Sequence, residues 1–315
     1  MNSAIELSLI CPCYNSGKYL AIALESVLKQ KTTHSFEIVV VMDPSSDDTA
    51  AVLSSFHDPR IRVISNPKRL GIGLSRRQGL EAAKGTYIGF LDADDFLEPS
   101  YVETMLQTLL THQADAVDCN FFVFNDQSKQ EHPAPLRGPE RTLSALKAES
   151  WLLNDQKIRG FLWTKVFKKS LLLNPSISLP TGYLFEDMPI AFAAFSYAKK
   201  IVYLHQPLYH YRKAYEASAT SKPQPHRALE HLNSFALIRI FADRSGNRAL
   251  VQIVRHRYFR MKLSLLYDLS LARKAGLSKK EAHLLRRKLR LIKQKKPLPL
   301  ENQTWSPLLA EAFRK

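Results

Sequence analysis

Asp92-Ala93-Asp94-Asp95 places three carboxylates within four residues, directly behind the apolar run that ends at Leu91. Carboxylates side by side in an apolar setting repel one another, and they settle only against a cation or hydrogen-bond donors. A hard divalent ion with oxygen ligands is one such partner, and it suits a diphosphate-bearing substrate. The plainer alternative is a solvated acidic loop. The four residues alone do not choose between the two, so the elements around them must.

Residues 7 to 124 alternate apolar strands with amphipathic helices, which predicts an α/β fold with a mostly parallel sheet flanked by helices. Leu7 to Ile10 reads as a first strand, and Ala21, Leu24, Val27 and Leu28 give the next segment helical spacing. Glu37 to Met42 is almost continuously apolar, as a central strand covered on both faces would be. It stops at Asp43-Pro44-Ser45-Ser46-Asp47-Asp48-Thr49, a group of turn and capping residues that predicts a helix start near Asp47. Ile61 to Ile64 is a third strand, Leu74 to Ala83 a helix, and Tyr87 to Leu91 the strand that delivers the carboxylates. Open α/β sheets bind ligands outside the carboxyl ends of their strands. Tyr14-Asn15, Asp43 and Asp92 to Asp95 should therefore converge on one crevice. The polar, proline-bearing stretch 125–140 predicts a long loop, after which helical spacing resumes and Glu186-Asp187 leads a strongly apolar helix through Ala198.

A chain of 315 residues with 45% hydrophobic content can bury a large core and suggests two domains. Glu6 interrupts an already short apolar start, so no secretory signal is expected, and no apolar run reaches the roughly 18 residues of a spanning helix. Cys11 and Cys13 lie on one face of a strand with Cys119 elsewhere, too few ligands for a structural zinc site. Reduced thiols in a cytoplasmic protein fit this pattern.

The formal charge of +16 is uneven: residues 221–315 hold 22 Lys and Arg against 6 Asp and Glu, and residues 1–220 balance 23 against 23. This asymmetry divides the chain into a domain at 1–220 and a basic helical C-terminal region at 221–315. Val254, Tyr258, Met261, Leu265 and Leu269 form one amphipathic stripe, and Ala282, Leu285, Leu289 and Ile292 another, each flanked by Arg and Lys. Three destinations fit: an anionic membrane surface met by residues 223–296, packing on the preceding domain with a solvated basic face, or nucleic acid. The intact apolar stripes make nucleic acid the least suited of the three.

Leu9 to Leu20, with Cys11-Pro12-Cys13-Tyr14-Asn15-Ser16-Gly17 at its centre, then Phe36 to Asp43, then Gly85 to Asp95, together resemble the family 2 glycosyltransferases of the GT-A fold. The likeness is close over residues 7–100 and looser to about Tyr211. It implies a Rossmann-like sheet whose half at 1–100 binds nucleotide and whose half at 101–220 meets the acceptor. It also implies a nucleotide-diphosphate sugar donor, a glycan or lipid-linked saccharide acceptor, Mg²⁺ or Mn²⁺, and inversion at the anomeric carbon. Cell-surface polysaccharide synthesis, on the inner face of the cytoplasmic membrane, is the setting it suggests.

Matched position by position, Tyr14 corresponds to the aromatic that packs on the base and Asp43 to the carboxylate that accepts from the base N–H. A planar base needs a stacking face and an edge partner. Pro12, Asn15 and Ala93 complete the nucleotide-sugar set, and Arg76 corresponds to an arginine that reaches toward the nucleotide. Arg76 and its neighbour Arg77 could equally be solvated helix residues. Asp92 and Asp94 match the outer members of the D-x-D, with Asp94 the metal contact and Asp92 near the ribose or a metal-bound water. Glu186-Asp187 resembles the second acidic motif, which makes Asp187 the general base; capping the following helix is the competing use of the same carboxylate. Arg159 to Lys165 resembles the acceptor-side segment, where Trp163 would stack on a sugar ring or sit in the core. Tyr209-His210-Tyr211-Arg212, followed by Ser218, resembles a segment that closes over the diphosphate, with His210 either near phosphate or simply packed.

The sequence departs from the family at Met42, where an aspartate is frequent, and at Pro44, where glycine is usual, which puts donor-base preference in doubt. A sugar nucleotidyltransferase is the rival enzyme class. Its Gly-rich phosphate loop is missing here, since Cys11 to Gly17 has one glycine.

Overall fold

The computed structural model describes residues 4–135, 138–174, 186–213 and 227–257, with 278–280, 283, 286–287 and 290; for 227–233 it describes the backbone alone. Contacts divide the chain into two compact units, Met1–Lys222 and Pro223–Lys315.

The first unit begins with β1 (Leu7–Cys13), α1 (Gly17–Leu28), β2 (Phe36–Met42), α2 (Thr49–Ser54), β3 (Ile61–Ser65), α3 (Ile72–Ala82) and β4 (Tyr87–Phe90). It continues with β5 (Phe96–Leu97), α4 (Tyr101–Thr111), β6 (Ala116–Asn125), β7 (Glu131–Pro133), β8 (Arg141–Leu143) and α5 (Ala145–Leu153). Then come β9 (Lys165–Lys168), α6 (Lys169–Leu172), α7 (Asp187–Tyr197) and β10 (Ile201–Lys213). One ten-stranded sheet runs in the order β3-β2-β1-β4-β9-β6-β10-β5, with β7 on β6 and β8 on β10. Its long ladders are parallel: β1 with β2 and β4, β2 with β3, and β6 with β10. The antiparallel ladders are short, and β9 runs against both β4 and β6.

The central strands are covered on both faces, as their apolar runs require. Glu37 is the exception within β2, and three neighbours satisfy it: Ser8 Oγ donates at 2.7 Å, Arg62 Nη1 at 2.9 Å and the Lys84 N–H at 2.7 Å. Two glycines allow the close approach that sets the site. A Cβ at Gly79 would lie 2.4 Å from Ile10 Cγ2, so α3 rests directly on β1. At Gly85 a Cβ would meet the Ser8 backbone N at 2.5 Å, and the Gly85 N–H donates to Ser8 Oγ instead.

The structure extends or corrects several sequence expectations. β1 runs on to Cys13 because its ladder with β2 continues as far as Cys13 opposite Met42. The stretch 125–140 is not one loop: β7 turns back on the end of β6, pairing Phe122 with Pro133 and Phe124 with Glu131. All three β7 residues are exposed, so backbone pairing, not a side-chain pattern, makes this strand. The three cysteines are free and buried.

In the second unit α8 (Arg227–Arg244) is followed by helical backbone at 248–257. Phe235, Ile238, Leu250 and Val254 are buried there, and the buried Arg239 donates from Nε to Asp243 at 2.8 Å. Beyond Val254 the two predicted amphipathic stripes lie outside the described residues, apart from isolated positions, as does Ser218. Among the described residues no helix is long and apolar enough to cross a membrane.

Candidate active site

Three loops at the carboxyl ends of β1, β2 and β3 are fastened to one another by side chains. Asn15, whose φ of 48° is left-handed, accepts the Ser46 N–H at 2.9 Å, and the Asn15 N–H donates to Ser45 Oγ. The Gly17 N–H reaches Asp47 Oδ2 and the Ser16 N–H reaches Thr49 Oγ1. Asn15 is thus a loop fastener. Pro12 sits half-buried in β1 opposite Val41.

Asp43 is buried, and its two oxygens accept four bonds: from Asn66 Nδ2 at 2.9 Å, the Leu70 N–H at 3.0 Å, the Gly71 N–H at 2.8 Å and Ser75 Oγ at 3.4 Å. An ionised carboxylate has about four acceptor positions. Through these bonds Asp43 anchors the loop between β3 and α3. That loop brings the Arg69 guanidinium to 3.9 Å above the ring of Tyr14, which is 38% exposed. Next to Asp43, Asn66 Oδ1 is buried without a hydrogen-bond partner.

The acidic loop follows β4, with the Leu91 N–H still bonded to the Ile10 carbonyl. Its three carboxylates have different surroundings. Asp95 is buried, accepts the Tyr209 hydroxyl at 2.7 Å and the Arg212 N–H at 2.6 Å, and is held well above the carboxylate range by burial and by the charges of Asp94 and Asp92. It anchors the loop to β10, and Tyr209 closes the anchor by accepting the Asp92 N–H at 3.1 Å. Ala93 is buried. Asp92 Oδ1 accepts from Arg76 Nη2 at 2.7 Å. Asp94 takes no donor from another side chain among the described residues, and burial, then the neighbouring Asp92 charge, push its carboxyl up to about 6.

Arg76, on the face of α3 that packs toward β1, is 4% exposed and lies against three carboxylates. Besides Asp92, its Nη1 donates to Glu186 Oε1 at 2.6 Å and to Asp187 Oδ1. These bonds turn the guanidinium toward the two acidic motifs. Arg77 is exposed and pairs with Glu81 one turn on. Burial opposes charge on Arg76, but Asp187, Asp92 and Glu186 raise its pKa further still. Burial and the Asp187 charge push Glu186 up to about 8 against the pull of Arg76. Asp92 is raised as well, by burial first.

Asp187 is the first residue of α7, and the N-cap residue before it, Glu186, makes no side-chain capping bond. Asp187 Oδ2 accepts the Leu162 N–H at 3.2 Å, so the acceptor-side segment, Asp187 and the D-x-D are joined through Arg76. Trp163 does not offer a face to a sugar. It is 3% exposed, stacked on Phe161, Tyr209 and Tyr211, with Phe121 edge-on. His210 is likewise packed, between the rings of Phe96 and Phe122, and both its nitrogens are held by Glu98 and Glu131. Sequence reasoning missed Asn66, the hydroxyl link of Tyr209 to Asp92 and Asp95, and the buried pair of Lys165 with Asp118, whose Nζ–Oδ1 distance is 2.7 Å. A lysine between Trp163-Thr164 and Val166-Phe167 was the available signal for that pair.

Among the described residues no group of three or more His, Cys, Asp or Glu side chains is arranged to hold a metal ion. The donor set fits an ion that brings its own oxygens. Asp94 is a carboxylate without another protein partner, Asp92 adds a second oxygen nearby, and Mg²⁺-like ions are commonly held by one or two carboxylates plus substrate phosphates.

The sequence model of Glycosyl transferase family 2 matches residues 8–167. Among curated relatives, the putative glycosyltransferase EpsH of Bacillus subtilis is 35% identical over 214 residues, covering 65% of this chain and 60% of that protein. Glycosyltransferase GlyG of Streptococcus pneumoniae is 30% identical over 66% of this chain and 70% of its own length. The match thus spans about three fifths to seven tenths of these two relatives. The solved structure of S. aureus TarS 1-349 in complex with UDP-GlcNAc aligns with a TM-score of 0.60 at 21% identity, covering 96% of this chain and 92% of that one. The mannosyltransferase PcManGT from Pyrobaculum calidifontis, in complex with GDP-Man and Mn²⁺, aligns at 0.56 and 18% identity over 98% and 85%. A family match over half the chain, a sheet shared with these structures and an acidic loop at its carboxyl edge make this protein a glycosyltransferase of family 2 with the GT-A fold.

Proposed function

We propose that the protein is an inverting, divalent-metal-dependent glycosyltransferase that moves a sugar from a nucleotide-diphosphate sugar to a glycan or lipid-linked saccharide during polysaccharide biosynthesis. The observation that carries this reading is the Arg76 junction, which binds Asp92 of the D-x-D and Asp187 of the second acidic motif with one side chain.

On the donor side the exposed ring of Tyr14 offers a face to the base. Asn66 Oδ1, buried without a partner, supplies the edge acceptor first assigned to Asp43. Mg²⁺ or Mn²⁺, held when bound by Asp94 with Asp92 beside it, would neutralise charge on the departing nucleoside diphosphate. On the acceptor side Asp187 takes the proton of the attacking hydroxyl. Arg76 fixes its Oδ1 and the Leu162 N–H its Oδ2, and each oxygen keeps a second lone pair for the substrate. A single displacement with the base on the acceptor's side inverts the anomeric carbon without a covalent intermediate.

Names among the relatives support a polysaccharide setting: a succinoglycan biosynthesis protein of Rhizobium meliloti and a chondroitin synthase of Escherichia coli. The charge excess at 221–315 supports work at an anionic inner membrane surface. The test is a panel of UDP- and GDP-sugars with and without Mn²⁺, read as nucleoside diphosphate release. Release that requires the cation and disappears in Asp94→Ala is the expected result. Cation-independent release, or full activity in Asp94→Ala, would overturn the metal assignment.

A further inference from the structure

Trp163, open in sequence to either sugar stacking or core packing, is buried, but the ring stacked on it is not. Phe161 is 40% exposed, and its inner face lies 4.6 Å from the Trp163 centroid at an interplanar angle of 10°. Phe121 meets it edge-on at 6.1 Å. At 40% exposure part of Phe161 remains accessible to solvent.

Phe161 is also fixed relative to Asp187. Its carbonyl accepts from the fully buried Lys165 Nζ at 2.7 Å, and the N–H at the other end of the same peptide group, that of Leu162, donates to Asp187 Oδ2. Gly160 presses on the first turn of α7, where a Cβ would come 2.9 Å from Met188 Cβ. The peptide that carries the ring is therefore tied to the proposed base at one end and to Lys165 at the other. Behind the ring the stack continues through Trp163 to Tyr209, 4.5 Å further on, whose hydroxyl accepts the Asp92 N–H. Tyr14, the other exposed ring of the crevice, has a face covered by Arg69 and stands on the donor side.

We infer that Phe161 is the platform on which a ring of the acceptor saccharide stacks, placing a hydroxyl toward Asp187. A pyranose presents a face of C–H bonds, and that apolar, weakly positive face suits the negative face of an aromatic ring. A lipid chain would need apolar bulk instead of a flat face, which separates the two occupants. The inference rests on the proposed saccharide acceptor.

Saturation-transfer NMR on the full chain tests it, with methyl β-D-glucopyranoside, methyl β-D-galactopyranoside and methyl N-acetyl-β-D-glucosaminide as probes and glycerol as a polyol without a ring face. At least one glycoside should bind, with transfer strongest to the C–H protons of one ring face. Phe161→Ala and Phe161→Leu should weaken that binding tenfold or more, and Phe161→Trp should retain it. Thermal melts would confirm that each variant is folded. No glycoside binding by the wild type, equal binding by Phe161→Ala, or retention by Phe161→Leu would overturn the platform. Nucleoside diphosphate release reports separately on the transferase reading. If the wild type releases it and glycoside binding ignores Phe161, the platform alone fails.

Discussion

Among the described residues of the first unit, two of the buried charge clusters are built differently. Lys165 with Asp118 is one cation to one anion, and every group is answered: Nζ lies 2.7 Å from Asp118 and from the carbonyls of Arg159 and Phe161, while Thr164 Oγ donates to Asp118 at 2.6 Å. Arg76 is one cation among three carboxylates. The balanced pair has nothing left to offer a ligand and shapes the loop that carries Phe161 and Leu162. The unbalanced cluster keeps net negative charge; burial first, and the Asp187 charge beside it, raise Glu186 and Asp92. Both clusters are buried, and one cation against three carboxylates is what sets the proposed site apart from the balanced pair.

That contrast can be broken most forcefully at the balanced pair. Lys165→Met leaves Asp118 buried and unpaired, so urea unfolding should show a loss of about 3–5 kcal/mol, and adding Asp118→Asn should restore much of it. A single-variant cost below about 1 kcal/mol would mean the pair holds nothing.

Glu149 sharpens the comparison, since it is 2% exposed and its carboxylate receives only the Ser196 hydroxyl. Burial pushes its pKa from 4.5 up to about 7. Its neutral form is the one the fold favours, so its stabilising effect is complete below pH 4.5 and is lost as pH rises through about 7. Glu149→Gln should therefore match the wild type near pH 5 and exceed it by up to about 3 kcal/mol at pH 8. Identical pH profiles for the two proteins would count against this burial penalty. A smaller effect is expected at Tyr209→Phe, which removes the hydroxyl between the Asp92 N–H and Asp95 and should cost about 1–2 kcal/mol in denaturant midpoint experiments.

The strands and helices of residues 7–110 were legible because apolar runs and helical spacing are local signals, and the D-x-D and Glu186-Asp187 stood out for the same reason. Roles set by distant partners were not. That Asp43 also fastens a loop was invisible, because its partners Asn66, Leu70 and Gly71 lie 23 to 28 residues later. Arg76 finds Glu186 and Asp187 more than a hundred residues away, a pairing that no spacing rule contains. Trp163 stayed open between a sugar platform and the core because a lone aromatic does not reveal which of its faces is covered; the stack on Phe161 and Tyr209 decides that only in three dimensions. β7 escaped because its exposed residues carry no alternation.

The claim that the two acidic motifs form one working site is tested most directly at Asp187→Asn, which keeps the shape of the side chain. The measurement is the rate of sugar transfer beside the thermal shift produced by the donor with Mn²⁺. The account predicts a transfer rate reduced by about 10²–10⁴, with the donor-induced shift retained. Transfer at the wild-type rate would contradict it.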